Sequence, residues 1–350
     1  MSAIADKAGP GRAGAYARRA LTLSASVAVT LFGLCAITFV IGRLLPLDPV
    51  LAVLGDDASQ EARQRMTEKL GLHLPLWQQF LYFMNDLIRL DFGRSVTTGE
   101  YVATDLKRVV GGTIELSVLA LAIAAVLGIP LGVLAAVRRG RWPDHLVRVI
   151  TLVGYSAPTF WLGLMGLSVF YASLGWVAGS GRINVLYQYD FESSTGLYIF
   201  DALRSGQWEI LRDLIDHILL PASVLGYVST AYIARMTRSF MLNELSQEYI
   251  LAAKAKGASG LSVVWRHAFR NIAVQLLTVV SMTFAFLLEG AVLVETVFAW
   301  PGFGRYFTTG LLAGDMNIVV PCTLIIGVMF ITINLLCDFL YRALDPRLRK

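Results

Sequence analysis

The sequence predicts an all-α integral membrane protein with six transmembrane helices and both termini in the cytoplasm. Three observations lead there. Of the 350 residues, 56% are hydrophobic and only 16% charged, whereas soluble domains carry about a quarter charged residues. The apolar residues fall in long blocks free of Asp, Glu, Lys and Arg, as in a chain built for lipid. Lys and Arg gather between alternate blocks, which orients such a chain.

The blocks, in order, are Leu21–Gly42, Leu116–Val137, Val149–Gly181, Ile218–Ala234, Ile272–Leu288 and Met316–Cys337. About 20 apolar residues cross the hydrocarbon core as a helix, and helices satisfy every backbone group there. The expected spans are 21–43, 114–137, 149–174, 217–237, 272–294 and 316–340. The third block is too long for one span and too short for two with a turn. It reads as one helix to about Leu174 followed by a Gly-rich exit (Gly175, Gly179, Gly181). The first block exceeds the apolar region of a signal peptide, and no small-residue cleavage site follows Arg43, so it reads as an uncleaved helix. Residues 1–20, rich in Gly and Ala, read as a disordered cytoplasmic tail. Residues 343–350 form a second tail, leaving 21–342 as the transmembrane domain.

Orientation follows from charge. Arg138, Arg139, Arg141 and Arg148 crowd one loop; Arg235, Arg238, Lys254, Lys256, Arg266 and Arg270 occupy another. The N-terminus adds Lys7, Arg12, Arg18 and Arg19, and the C-terminus Arg342, Arg347, Arg349 and Lys350. With six spans all four segments share one side, and positive charge marks it as cytoplasmic. The net charge of +5 is therefore a topology signal; basic residues beside apolar spans form no nucleic-acid footprint of their own, and no nucleic-acid partner is expected.

Between the first two spans, Ala58–Leu70 is rich in helix formers, Gly71 stops that helix, and Pro75 opens another through Trp77, Phe80, Tyr82 and Phe83. Those aromatics suit either a helix at the membrane surface or ordinary packing on the spans. Cys35, Cys322 and Cys337 lie in apolar blocks without CxxC or Cys/His spacing and read as small packing residues. Pro130, Pro158, Pro221 and Pro321 read as kinks whose freed carbonyls neighbours satisfy, and Gly128-xxx-Gly132 allows close helix contact.

The informative segment, 238–271, lies between the fourth and fifth spans. Ser246 is placed to cap a helix, with Glu248 in its first turn. Tyr249–Lys256 carries good helix formers, Gly257 ends them, and Ser259 is placed to cap a second helix running through Trp265 and Arg270 into the fifth span. The pattern is a short helix, a break and a second helix. By itself it fits a knob for a soluble partner and a solvated basic loop equally.

Glu248-Tyr-Ile-Leu-Ala-Ala-Lys-Ala-Lys-Gly257 followed by Trp265-Arg-His-Ala-Phe-Arg-Asn271 resembles the "EAA" loop of ABC-importer permeases, and within them the first permease of dipeptide/oligopeptide/nickel importers. Leu70-Gly-Leu-His-Leu-Pro-Leu-Trp-Gln78, Asp91-Phe-Gly-Arg-Ser95, Glu295-Thr-Val-Phe-Ala-Trp-Pro-Gly-Phe-Gly304 and Leu344-Asp-Pro-Arg347 match the same group. The resemblance implies a type I ABC importer permease fold in the bacterial plasma membrane. It implies a coupling loop of Ala252, Ala253, Lys254, Gly257, Ala258 and Leu261 that seats a short helix in a groove of an ATPase subunit. The implied partners are two ABC ATPase subunits, a second homologous permease, an extracytoplasmic solute-binding protein, membrane lipid and a peptide substrate, with nickel or another small solute as alternatives. Four positions depart from the pattern: Leu251 where the general motif has Glu, Gln275 for a Pro, and Gly111-Gly112 for a Pro-Ala pair. Such changes adjust helix entry angles.

No GxxxxGK[ST] loop, HExxH or GxSxG is present, and His73, His145, His217 and His267 are scattered. No enzymatic activity and no cofactor of the chain's own is expected; ATP is bound by the partners. A proton-coupled secondary transporter would want ionisable residues in mid-membrane, and Glu289 is the one candidate, Glu295 falling near a span end.

Overall fold

A computed structural model of the chain describes residues 10–44, 50, 58–69 and 71–344. Its helices are α1 (Pro10–Leu44), α2 (Gln60–Lys69), α3 (Leu76–Ile88), α4 (Val102–Val137), α5 (Trp142–Ser156), α6 (Thr159–Gly166), α7 (Tyr198–Ser205), α8 (Trp208–Leu245), α9 (Glu248–Ala255), α10 (Arg270–Gly290), α11 (Val292–Val297), α12 (Phe303–Ala313) and α13 (Met316–Leu344). Short π-helical stretches, Leu167–Ser173 and Ser262–Phe269, extend α6 and lead into α10.

Among the described residues four helices are long and apolar enough to cross a membrane: Val102–Val137, Trp208–Leu245, Ser262–Leu288 and Met316–Cys337. A fifth is obtained if α5 and α6 count as one span; Ser24–Val40, inside α1, is a shorter apolar stretch. The expected single third helix is thus two helices, Trp142–Ser156 and Thr159–Ser173, bent by 102°. Proline disfavours the α region for the residue before it. Here Ala157 is extended (φ −77°, ψ 132°) and so is Pro158 (φ −60°, ψ 132°), and two extended residues in succession end one helix and start another. Pro130, Pro221 and Pro321 stay inside α4, α8 and α13.

A second departure lies at the N-terminus. Residues 10–20, expected to be disordered, are helical in α1; residues 1–9 lie outside the described residues. Once an apolar helix exists, adding residues to its end needs no new nucleus, and Ala13, Ala15, Ala17 and Ala20 are good helix formers. Pro10 suits a first helical turn, where its missing N–H costs nothing.

Between α2 and α3 the expected punctuation is present. Gly71 is left-handed (φ +63°), and the Gly71 and Leu72 amides donate to the Glu68 and Thr67 carbonyls, the paired closure that leaves few carbonyls orphaned. Phe80 and Phe83 pack on α1, with Phe80 edge-on to Phe32 and Phe39 at 5.9 and 5.3 Å. Trp77 and Tyr82 on the same helix are exposed.

The centre of the molecule is the pair α4 and α8, whose approach depends on glycine. A β-carbon on Gly132 would sit 2.6 Å from the Ala234 carbonyl oxygen, and one on Gly128 3.0 Å from the Ile233 side chain. Toward one end of the pair a buried cluster gathers Leu116, Ala120, Ile218 and Leu225 with Phe298 and Trp300. Toward the other, Val133, Ala136 and Met241 meet Ile250, Val263, Ala268 and Ile272. At that second end Asp144 accepts two hydrogen bonds from Arg238, at 2.7 and 2.9 Å, tying α5 to α8.

Candidate functional site

The segment after α8 folds as a compact knob. α8 runs to Leu245, beyond the expected span end at 237. Its last turn absorbs Ser246, whose hydroxyl donates to the Asn243 carbonyl (2.7 Å) while its backbone stays near the helical region. Ser246 therefore does not cap the next helix. Extended Gln247 precedes α9 instead, and Glu248 follows in the first turn.

α9 ends at the predicted residue. Gly257 has φ +83°; its amide donates to the Lys254 carbonyl (3.0 Å), and the Ala258 amide donates to the Ala253 carbonyl (3.1 Å). This double closure needs a left-handed residue, which glycine adopts without steric cost. Ser259 then caps the next helix, its hydroxyl accepting from the Ser262 amide (3.3 Å).

The predicted residues divide between two faces. Ala253 and Ala258 are half-buried, and Ala258 packs on the Ile250–Val263–Ile272 cluster. Ala252, Lys254 and Gly257 are exposed, as is Leu261 at 75%. Leu251, in the position where the general motif has Glu, is 63% exposed. Fully buried Ile250 anchors the helix, which leaves Leu251 and Ala252 exposed on α9 and Leu261 exposed just beyond the Gly257 break. Exposed apolar side chains on an anchored, short helix are what a receiving groove would cover.

A clasp that the sequence reading missed holds the knob to the neighbouring helices. Tyr249 Oη donates to Glu244 Oε1 (2.6 Å), and Asn271 Nδ2 donates to the same oxygen and to Tyr249 Oη, both at 3.0 Å. Burial, and then the Glu244 carboxylate, push the Tyr249 phenol up to about 12, so it remains a donor at neutral pH. The three residues lie on three elements, so no local spacing announced them.

Two other quoted motifs meet at the opposite end. Asp315 Oδ2 accepts from Ser95 Oγ (2.9 Å) and the Val96 amide (2.7 Å), and Asn317 Nδ2 donates to the Arg94 carbonyl (2.9 Å). Glu295 is fully buried and accepts from Thr113 Oγ1 (2.5 Å) and the Arg305 amide (2.8 Å). Thr113 in turn accepts from the Phe303 amide (2.7 Å). These contacts shape the backbone around Trp300–Gly304. The Gly111–Gly112 departure also belongs here: a β-carbon on Gly111 would lie 2.1 Å from the Gly196 carbonyl oxygen, so α4 admits the 181–207 segment only with glycine at that position. Glu289 falls in the last turn of α10; its side chain lies outside the described residues, as does the Asp345–Arg347 end of the final motif. Among the described residues no group of His, Cys, Asp and Glu is placed to hold a metal ion.

The family described as "binding-protein-dependent transport system inner membrane component" matches residues 128–350. The family for the N-terminal part of that membrane component matches residues 17–105. The probable D,D-dipeptide transport system permease protein DdpB of Escherichia coli K12 is 40% identical over 316 residues, covering 90% of this chain and 93% of the relative. The dipeptide transport system permease protein DppB of Alkalihalophilus pseudofirmus is 39% identical over 335 residues, covering 96% and 99%. Among solved structures, the inward-facing MetNI methionine ABC transporter aligns with a TM-score of 0.50 at 18% identity, covering 67% of this chain and 93% of the other; this is a likeness of fold. A helical, multi-pass chain with these relatives along nearly its whole length is a bacterial inner-membrane transport component: it belongs to the inner-membrane permease family of binding-protein-dependent transport systems.

Proposed function

We propose that this permease forms half of a pathway importing peptides, di- or oligopeptides, and that residues 248–261 couple it to ATPase subunits. The observation that carries the coupling is the α9 knob: a short helix closed by left-handed Gly257, anchored by Ile250 and leaving Leu251 and Ala252 exposed, with Leu261 exposed just past the break. Relatives named as dipeptide permeases support the cargo. In this reading two ATPase subunits bind the ATP, a second, similar permease completes the pathway, and a solute-binding protein delivers the peptide from outside. The chain itself holds no nucleotide or cofactor, in keeping with its lack of a phosphate-cradling loop. Purified alone it is expected to hydrolyse no ATP, and peptide uptake into proteoliposomes should require all the named partners. Robust hydrolysis by this chain alone would sink the proposal.

The proposed topology has six spans, with Ser24–Val40 in the first and the bent α5–α6 pair as the third, and with both termini and the knob in the cytoplasm. Glu61 and Arg141, both exposed, report on it. An impermeant thiol reagent added outside should label Glu61→Cys and spare Arg141→Cys. Labelling of position 141 alone would invert the arrangement and remove the knob from any cytoplasmic ATPase.

A further inference from the structure

The segment 181–207, with α7, forms a cap at the end of the molecule opposite the knob. Phe191 and Ala202 pack with Ile210, Leu211 and Leu214 at the start of α8. Its contact with α4 is different in kind. Arg182, whose side chain is 1% exposed, donates from Nη2 to Glu115 Oε2 on α4 (2.6 Å) and to the Gly196 carbonyl (2.8 Å). Glu115 Oε1 accepts the Ile199 amide (2.7 Å), so this one carboxylate holds the cap at two points. The guanidinium lies over the Tyr198 ring, 3.7 Å from its centroid, and 5.8 Å from that of Trp300. Trp300 Nε1 donates to the Gly112 carbonyl (3.1 Å), and the Gly181 amide donates to the Phe298 carbonyl (2.8 Å). Span, cap and the Glu295–Gly304 segment therefore meet at one ion pair.

That ion pair is incompletely satisfied. Among the described residues Arg182 Nε and Nη1 are buried and meet no acceptor. A buried ion pair repays its desolvation only when its remaining donors are also bonded, and an unpaired buried donor keeps its full penalty. Apolar residues of similar shape would hold the cap at least as firmly. A seat built this way opens more easily than a greasy one, because water and other acceptors satisfy the guanidinium once the cap lifts. The cap also carries a handle: Val185, Leu186 and Tyr189 are exposed at 70, 77 and 88%.

We propose that the Glu115–Arg182 pair is a latch that positions the cap on α4, and that its release couples the arrival of the binding protein to opening of the outer end. Arg182 and Glu115 are positioning residues in this scheme, and the scheme rests on the importer reading above. In the assembled wild-type complex, amide hydrogen exchange across residues 196–200 should rise roughly tenfold when loaded binding protein and ATP are added. In Arg182→Gln it should be fast from the start, and hydrolysis without binding protein should rise roughly tenfold toward the stimulated rate. Glu115→Gln, which keeps the acceptor for the Ile199 amide, should lie between. Arg182→Lys, charged but unable to stack as a plane or to fork, should restore part of the dependence. Wild-type exchange that ignores the binding protein, or an assembled Arg182→Gln complex with wild-type basal hydrolysis, overturns the latch. Failure of both Gln variants to assemble also overturns it, by making the pair a folding element. A wild-type complex whose hydrolysis is indifferent to binding protein would count against the importer reading instead.

Discussion

Gly257→Val is expected to abolish most transport while the protein still inserts. Nothing lies within 4 Å of where a β-carbon at Gly257 would stand, so the added atoms meet no neighbour. The cost is conformational: at φ +83° an L-residue pays about 1–2 kcal/mol, more if β-branched. The loop relieves that strain by rotating out of the left-handed region, which breaks the Gly257–Lys254 and Ala258–Ala253 bonds and re-aims α9. A strain of about 1–2 kcal/mol shifts the population of correctly placed loop by roughly 5- to 30-fold, and transport measured in proteoliposomes should fall by that factor or more. Gly257→Asn should be milder, because Asn tolerates the left-handed region. Ala252→Glu should act like the valine variant by setting a charge on the exposed face of α9, whereas Lys254→Ala should be nearly silent. Wild-type transport by inserted Gly257→Val would mean that residues 248–261 are a solvated connector.

Glu295→Ala is expected to deplete the folded protein itself. The Glu295 carboxylate is fully buried and satisfies Thr113 and the Arg305 amide. Leaving the buried Thr113 hydroxyl unpaired costs about 1–3 kcal/mol, and the part-buried Arg305 amide adds to it, a sizeable share of the roughly 5–15 kcal/mol that holds a typical domain. Gly302→Ala should do similar damage from the other side, since its β-carbon would fall 2.2 Å from Glu295 Cδ. Thermal unfolding in detergent, followed by loss of monodisperse protein, should place both variants well below wild type. Glu295→Gln, whose single amide oxygen still accepts from one of the two partners, should recover part of the loss. If Glu295→Ala unfolds at the wild-type temperature, this network contributes nothing to the fold.

Much of the candidate site was legible because its signals are local. Ala252, Ala253 and Ala255 favour helix, Gly257 must end it, and Ser259 sits where a hydroxyl reaches the next free amide; each acts over a few residues, and each appears as expected. Ser246 failed because two local roles compete for it. As a helix cap for α9 it lost to the last turn of α8, which continued about three turns past the apolar block. That continuation depends on Met241 and Ile250 packing against α4 and α10, which local sequence does not reveal. The orientation of the site residues was equally hidden: Ala253 and Ala258 turn inward and Ala252 and Leu261 outward because Ile250 finds a buried cluster to enter.

The amino-acid sequence by itself determined the helical, membrane-embedded character of this permease, because hydropathy and charge act along the chain whatever the fold. It also determined where α9 breaks, because a left-handed glycine is a property of one residue. Tertiary structure decided whether each proline bends its helix: Pro158 breaks a span by 102° while Pro130, Pro221 and Pro321 remain inside helices. Tertiary structure also decided which polar residues meet. Glu115 with Arg182, Thr113 with Glu295 and Ser95 with Asp315 are far apart in the chain. A buried charge is tolerated only where a partner reaches it, and only the packed helices bring those partners within reach.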